Sequence, residues 1–295
     1  MPSPAEPMLV TPALLREWPL PSPDGGKEAR GRTLVVGGSR ETPGAVVLAA
    51  EAALRSGAGK LQVATAASVA TAVALALPEA LVIGLPETRS GALAAHSVEA
   101  ALTLAEDASS VLVGPGLSDT DESAGLLRAI LPAVHGALAV DALALAALTA
   151  EPDCLKAHPA PVVLSPNTAE AAHVMHCDET EVEDDPARAA TAMATETGCV
   201  VSMGGPVGWT AAPDGRLWRD DSGAAGLGVS GSGDVRAGVV AGLLARGSDG
   251  PQAAVWAAHL HGRAGERLAS TVGRIGFLAR DLPGQVPTIL AEIEQ

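Results

Sequence analysis

Short apolar runs recur along the chain, several closing on glycine, a carboxylate or a proline-bearing turn, and helical spacing commonly follows. Thr33-Leu34-Val35-Val36 runs into Gly37-Gly38-Ser39. Gly44 to Ser56 then places Val47, Ala50 and Leu54 on one helical face, which predicts a buried strand, a tight turn and a helix. Leu61-Gln62-Val63-Ala64 is the next strand. Val111-Leu112-Val113 leads into Gly114-Pro115-Gly116 and a helix from about Ser123 to Leu131. Ala137 to Val140 ends at Asp141. Pro161 to Leu164 ends at Ser165-Pro166-Asn167, before a helix from Thr168 to about His176.

Repeated strand–turn–helix units of this kind predict an α/β fold, a mostly parallel sheet with helices on both faces. The pattern changes after Cys199-Val200-Val201-Ser202. Trp209-Thr210-Ala211 and Arg216-Leu217-Trp218 flank the turn Pro213-Asp214-Gly215, which predicts an antiparallel hairpin at the sheet edge. A glycine-rich turn at 228–233 follows, then two helices over roughly Asp234–Arg246 and Gln252–Ser270. Residues 1–30 are rich in proline and glycine and are expected to lie as a surface arm. No linker divides the remainder, so 31–295 is expected to be one domain.

Composition narrows the possible partners. Of 295 residues 47% are hydrophobic, yet they include one Phe and no Tyr, which suits close helix–sheet packing better than base stacking. The formal charge of −15 repels nucleic acid at long range, so no nucleic-acid partner is expected. A phosphate-bearing ligand would need backbone N–H groups, helix N-termini and metal ions rather than a basic surface. Cys154, Cys177 and Cys199 show no CxxC spacing and suit free thiols in a reducing compartment. No apolar run reaches membrane-spanning length, and a cytoplasmic protein without a membrane partner is expected.

In open α/β sheets the ligand sits beyond the carboxyl ends of the strands, so the residues just after each strand carry the information. Here they are Gly37-Gly38-Ser39, Gly114-Pro115-Gly116, Asp141, Asn167 with Glu170, Gly204-Gly205, and Gly231-Ser232-Gly233-Asp234. In the last of these, Gly231 and Gly233 are expected to adopt backbone angles closed to other residues, turning N–H groups into an anion hole at a helix start. Asp234 would then accept a proton from an attacking hydroxyl; the alternative is a plain helix cap. Asp141 ends a buried strand, implying a partner or a metal, or else a structural carboxylate bonded to a nearby turn. Asn167 and Glu170 taken alone fit a capping pair. His259 and His261 lie in an apolar helix and fit packing or hydrogen-bonded roles rather than a metal site. Met203 by itself fits a core position.

Taken in order, these turns resemble the NAD(P)H-hydrate dehydratases of the ribokinase-like superfamily, relatives of carbohydrate kinases. The likeness runs through Val35-Val36-Gly37-Gly38-Ser39 with Gly44-Ala45, Gly57-Ala58-Gly59 and Gly114-Pro115-Gly116-Leu117. It continues through Asp141-Ala142, Ser165-Pro166 with Glu170, Gly231-Ser232-Gly233-Asp234 and His261-Gly262. The resemblance implies a repair reaction: ADP or ATP phosphorylates the hydroxyl of hydrated NADH or NADPH, and loss of phosphate restores the ring. It implies Asp234 as catalytic base and Gly231, Ser232 and Gly233 as the anion hole. Ala45, Gly116, Asn167 and Asp234 would line the damaged-dinucleotide site. Met203, Gly204, Gly205, Pro206 and Val207 would form the nucleotide turn. Mg²⁺ would be held at Asp141 and, through water, at Glu170. The expected assembly is a homo-oligomer.

The chain departs from the family at informative points. Met203-Gly204 stands where Lys-Gly is common, Asp141-Ala142-Leu143 where Asp-Ala-Asp is, and Ser165-Pro166-Asn167 where Thr-Pro-His is. Met203 supplies no charge to a phosphate, so a lysine there is expected to tighten nucleotide binding unless another cation, such as Lys60 or a partner's arginine, fills the place. Asn167-x-x-Glu170 is similar to a motif of sugar and vitamin kinases. A small-molecule kinase is therefore the second expectation, and a non-catalytic nucleotide-binding regulator the third.

Overall fold

The structure, a computed structural model, describes residues 6–22, 24–96 and 98–295. Ten strands form a single sheet: β1 (Met8–Leu9), β2 (Arg32–Val36), β3 (Lys60–Ala66), β4 (Ala80–Leu85), β5 (Ser110–Val113), β6 (Ala137–Asp141), β7 (Val162–Ser165), β8 (Val200–Met203), β9 (Gly208–Ala211) and β10 (Leu217–Asp220). Their spatial order is β1-β10-β9-β8-β7-β6-β5-β2-β3-β4. From β8 to β4 every pairing is parallel; β9 and β10 are antiparallel additions beside β8. Chain order reverses between β2 and β5, which makes their carboxyl ends the switch point of the sheet.

The hairpin forms where its turn predicts, but it is not the edge. Met8 and Leu9 pair in parallel with Trp218 and Arg219 and close that side of the sheet. The segment expected to be a surface arm is therefore built into the body. Thr11 caps the helix Pro12–Glu17 by accepting from Leu14 N–H at 3.2 Å. Leu15 is fully buried, the Trp18 and Trp218 rings stack with centroids 5.7 Å apart, and Trp256 Nε1 donates to the Trp18 carbonyl at 3.0 Å. The opposite edge, β4, is apolar from Ala80 to Leu85 yet half solvated; Leu81 is 52% exposed.

Alternation along the strands divides the core into two layers. Val35, Val63, Leu112, Ala139, Val163 and Val200 face one way, against the helices Pro43–Arg55, Ser232–Ala245 and Gly250–Thr271. Leu34, Val36, Val111, Val113, Leu138 and Val140 face the other, against Glu99–Glu106, Thr120–Ile130, Thr168–Met175 and Pro186–Thr197. No helix among the described residues is long and apolar enough to cross a membrane.

Helix Ser232–Ala245 lies almost wholly buried between the sheet and helix Pro43–Arg55. A β-carbon on Gly238 would stand 2.1 Å from the Ala49 carbonyl oxygen, and one on Gly242 would stand 2.4 Å from that of Ala53. The two backbones touch because those side chains are missing. Gly238→Ala should therefore destabilise the fold by about 1–3 kcal/mol, the overpacking range, despite alanine's better helix propensity. At Gly233 a β-carbon meets nothing within 4 Å, so Gly233→Ala should leave thermal stability nearly unchanged. Paired melting curves check the contrast.

Candidate active site

The carboxyl ends of the strands interlock through their glycines. Gly38 N–H donates to the Pro115 carbonyl at 2.7 Å, and a β-carbon on Gly37 would stand 2.2 Å from the same oxygen. Gly116 has φ +70° and sits against Ala45, where an added β-carbon would be 2.9 Å from the alanine's own. Thr42 Oγ1 donates to the Gly116 carbonyl at 2.7 Å. Ala45 and Gly116 thus come together at the switch point. Gly114, at φ +140°, packs its α-carbon onto the Asp141 carbonyl and ties the end of β5 to that of β6.

Three carboxylates gather beyond β6 and β7. Asp141 is 6% exposed, and its pKa is raised well above the carboxylate range, by burial first and then by the charges of Glu170 and Asp234. Burial also raises Glu170. Asp234 is pushed up to about 6, again by burial first and by Glu170 second. The side chains are thus close enough to feel one another, and their negative charge is poorly compensated. Asn167 and Glu170 form the capping box foreseen for the helix Thr168–Met175: Asn167 Oδ1 accepts from Glu170 N–H at 2.8 Å and Glu170 Oε2 from Asn167 N–H at 2.9 Å. Capping occupies one oxygen of Glu170 and does not remove its charge from the crevice.

Helix Ser232–Ala245 begins at Gly231, which has φ +90° and no side-chain cap, so the positive end of the helix is open to a ligand. Gly231 must be glycine: a β-carbon would stand 2.5 Å from Leu48 Cδ1. Gly233 differs from the sequence expectation. It lies within the first helical turn and does not have a positive φ, so the reason for glycine there is open space and not backbone geometry. Ser232 Oγ lies 2.8 Å from His261 Nε2. His261 is pushed down to about 3, by burial first and Arg236 second, and is neutral. His259 Nδ1 lies 3.2 Å from Asp220 Oδ1. Both histidines are hydrogen-bonded, as their apolar helix suggests.

The turn Gly204-Gly205-Pro206-Val207 follows β8, with Gly205 and Pro206 exposed. Met203 is fully buried in the apolar layer that also holds helix Pro186–Thr197, as its lone reading as core suggested. Lys60 cannot serve this turn: it opens β3 at the amino end of the strand and pairs with Glu28 at 2.5 Å. Sequence reasoning overlooked Arg236. Within the buried helix Ser232–Ala245 it is 9% exposed, and its Nη2 donates to Ser202 Oγ at 2.5 Å. The only sequence signal was a single charge in an otherwise apolar stretch. Two hollows of about 330 and 320 Å³ lie at the amino ends of strands and contain none of these turn residues.

The parallel sheet with its antiparallel hairpin, and the glycine turn opening a buried helix above it, define a ribokinase-like protein. The family model described as NAD(P)H-hydrate dehydratase matches residues 33–288, and the chain belongs to that family. It is 46% identical over 283 residues to the ADP-dependent (S)-NAD(P)H-hydrate dehydratase of Xanthomonas campestris, covering 95% of each chain. It is 34% identical to the bifunctional NAD(P)H-hydrate repair enzyme Nnr of Moorella thermoacetica, of which it spans 54%. The ADP/ATP-dependent NAD(P)H-hydrate dehydratase of Bacillus subtilis, co-crystallized with ATP/Mg²⁺, superposes with a TM-score of 0.82 at 26% identity, covering 97% of this chain and 99% of that one.

Crowded carboxylates destabilise the fold that holds them. Asp234 has a folded-state pKa above its ordinary 3.8, so the folded protein binds that proton more tightly than the unfolded chain does. Its ionisation therefore costs nothing below 3.8 and the full amount above about 6. Asp234→Asn should stabilise the ligand-free protein by about 1–3 kcal/mol at about pH 7.5 and by much less at about pH 4. Thermal unfolding at the two pH values checks the sign.

Proposed function

We propose that the chain restores hydrated NADH or NADPH by ADP- or ATP-dependent dehydration through a phosphorylated intermediate, with Asp234 as the base. One observation carries the assignment of Asp234: a carboxylate poised at about 6 stands in the first turn of an uncapped, buried helix whose positive end opens on the same crevice. At neutral pH that carboxylate is ionised and can take a proton.

In the proposed reaction the ring hydroxyl attacks the terminal phosphorus of the nucleotide. Its proton passes to Asp234, the new O–P bond forms, and the nucleotide shortened by one phosphate leaves with the bonding pair. The ester oxygen then departs from the ring as inorganic phosphate, carrying the C–O pair. An adjacent ring carbon releases a proton, and the double bond returns. The N–H groups at Gly231, Ser232 and Gly233 receive the phosphoryl group in transit. Ala45, Gly116 and Asn167 border the dinucleotide, and the turn Gly204-Gly205-Pro206-Val207 borders the nucleotide, with Met203 buried beneath it.

Uncompensated charge on Asp141, Glu170 and Asp234 suits a divalent cation. Among the described residues no three ligand-type side chains cluster tightly enough to hold one alone, so phosphate oxygens would complete its shell. Mg²⁺ when bound supplies positive charge against the phosphates; Asp141 would hold it directly and Glu170 through water. All these residues lie within 31–295, the proposed catalytic unit.

Incubation with hydrated NADH, Mg²⁺ and each nucleotide, followed by absorbance at the reduced nicotinamide band, tests the proposal. Recovery of NADH with release of inorganic phosphate is expected; a stable phosphorylated product would mark a small-molecule kinase instead. Asp234→Asn should lower turnover at least ~10²-fold with nucleotide affinity retained, and wild-type turnover in that variant would remove Asp234 from the mechanism. Gly233→Val should fold yet lose turnover, because its added methyl groups project into the space a phosphoryl group needs. A normal rate would reduce this turn to a connector.

A further inference from the structure

A chain with net charge −15 that binds a polyphosphate needs a cation near the phosphates, and its lysines are elsewhere. Lys60 opens β3 and is paired with Glu28. The Lys27 carbonyl packs on Gly59, just before β3, and Lys156 packs on Gly198, just before β8. All three therefore stand at the amino ends of the strands, across the sheet from the crevice.

Arg236 stands on the correct side. It follows Asp234 by two residues, on the part of helix Ser232–Ala245 that faces β8. Its Nη2 is held by Ser202 Oγ, whereas Nε is buried without a partner among the described residues. Its Nη1 reaches Gly204, at a point 2.5 Å from where a β-carbon of that residue would be. Asp141 and Asp220 lie within electrostatic range, but no carboxylate among the described residues comes within the 4.0 Å of an ion pair. Burial lowers its pKa only to about 10, so the guanidinium is charged at neutral pH. A buried and incompletely paired cation costs several kcal/mol unless an anion completes it.

We propose that Arg236 binds the nucleotide's phosphates at the Gly204 turn, and that it replaces from the helix side the cation that Met203 cannot supply from the strand. Ser202 and Met203 point to opposite faces of β8, so the replacement charge approaches the same turn from the other layer of the fold. Gly204 is glycine because a side chain there would displace Nη1. Ser202 fixes the plane of the guanidinium, leaving its remaining N–H groups for a bidentate phosphate.

This inference rests on the proposed function for the identity of the ligand, and the test separates the two. Calorimetric titrations with ADP, pyrophosphate and adenosine compare wild type with Arg236→Met and Arg236→Lys. Removing a hydrogen bond to a charged group should weaken ADP and pyrophosphate roughly 10- to 100-fold in Arg236→Met, with adenosine unchanged and Arg236→Lys intermediate. Adding Met203→Lys to Arg236→Met should recover part of the loss, whereas Met203→Lys alone should gain nothing. Equal ADP affinity in folded Arg236→Met would overturn the role of Arg236 while leaving the proposed function intact. A wild-type protein that neither binds ADP nor repairs hydrated NADH would overturn the proposed function and this inference with it. Should Arg236→Met not fold, the wild-type Arg236 Nε–H resonance, assigned against Arg236→Lys, must shift on titration with pyrophosphate. No shift at saturation would overturn the inference.

Discussion

The contact between Gly238 and Gly242 and the carbonyls of Ala49 and Ala53 sets where everything else can stand. Without β-carbons at those positions, helix Ser232–Ala245 descends onto helix Pro43–Arg55 and onto the middle of the sheet. Its N-terminus then emerges at the carboxyl ends of the strands, where chain order reverses. A helix held a few ångströms farther out would carry Asp234 and Arg236 away from Asp141 and Ser202. Close approach at the bottom of this helix thus becomes chemical placement at its top.

Electrostatics in the crevice follow from that placement. Three carboxylates and one guanidinium are brought into a partly dry space, and burial dominates the shift of each. The pattern is costly for the empty fold and useful for a ligand bearing both phosphates and a cation. Phosphate oxygens can meet the helix N-terminus, and a divalent ion can meet the carboxylates. His261, held neutral beside Ser232, adds a hydrogen-bond partner without adding charge to this balance.

The N-terminal segment shows how a proline- and glycine-rich composition can mislead. Pro12 starts a short helix and Thr11 caps it, so the residues that suggested a loose arm are the ones that fix its local structure. Leu15, Trp18 and the two-residue β1 then seal the edge that the hairpin leaves open.

Much of the molecule was legible because its signals are local. Apolar runs marked β2, β5 and β8, and the turns flagged as chemical after β2, β5, β6, β7 and β8 lie at the carboxyl ends of those strands; only Gly231-Ser232-Gly233-Asp234 follows no strand directly and opens a helix instead. The Asn167–Glu170 capping pair is likewise written within a span of four residues. β1 and β4 were missed for different reasons: β1 is only two residues long, whereas Ala80 to Leu85 is an unbroken apolar run whose place at the sheet edge, half solvated, only the strand order reveals. Gly231 and Gly233 looked alike in sequence, and only backbone geometry showed that one needs a left-handed φ and the other open space. Arg236 was hidden for a deeper reason. A side chain's charge is a property of the residue, but whether that charge is solvated, paired or left waiting for an anion is decided by the strand, turn and helix that fold around it.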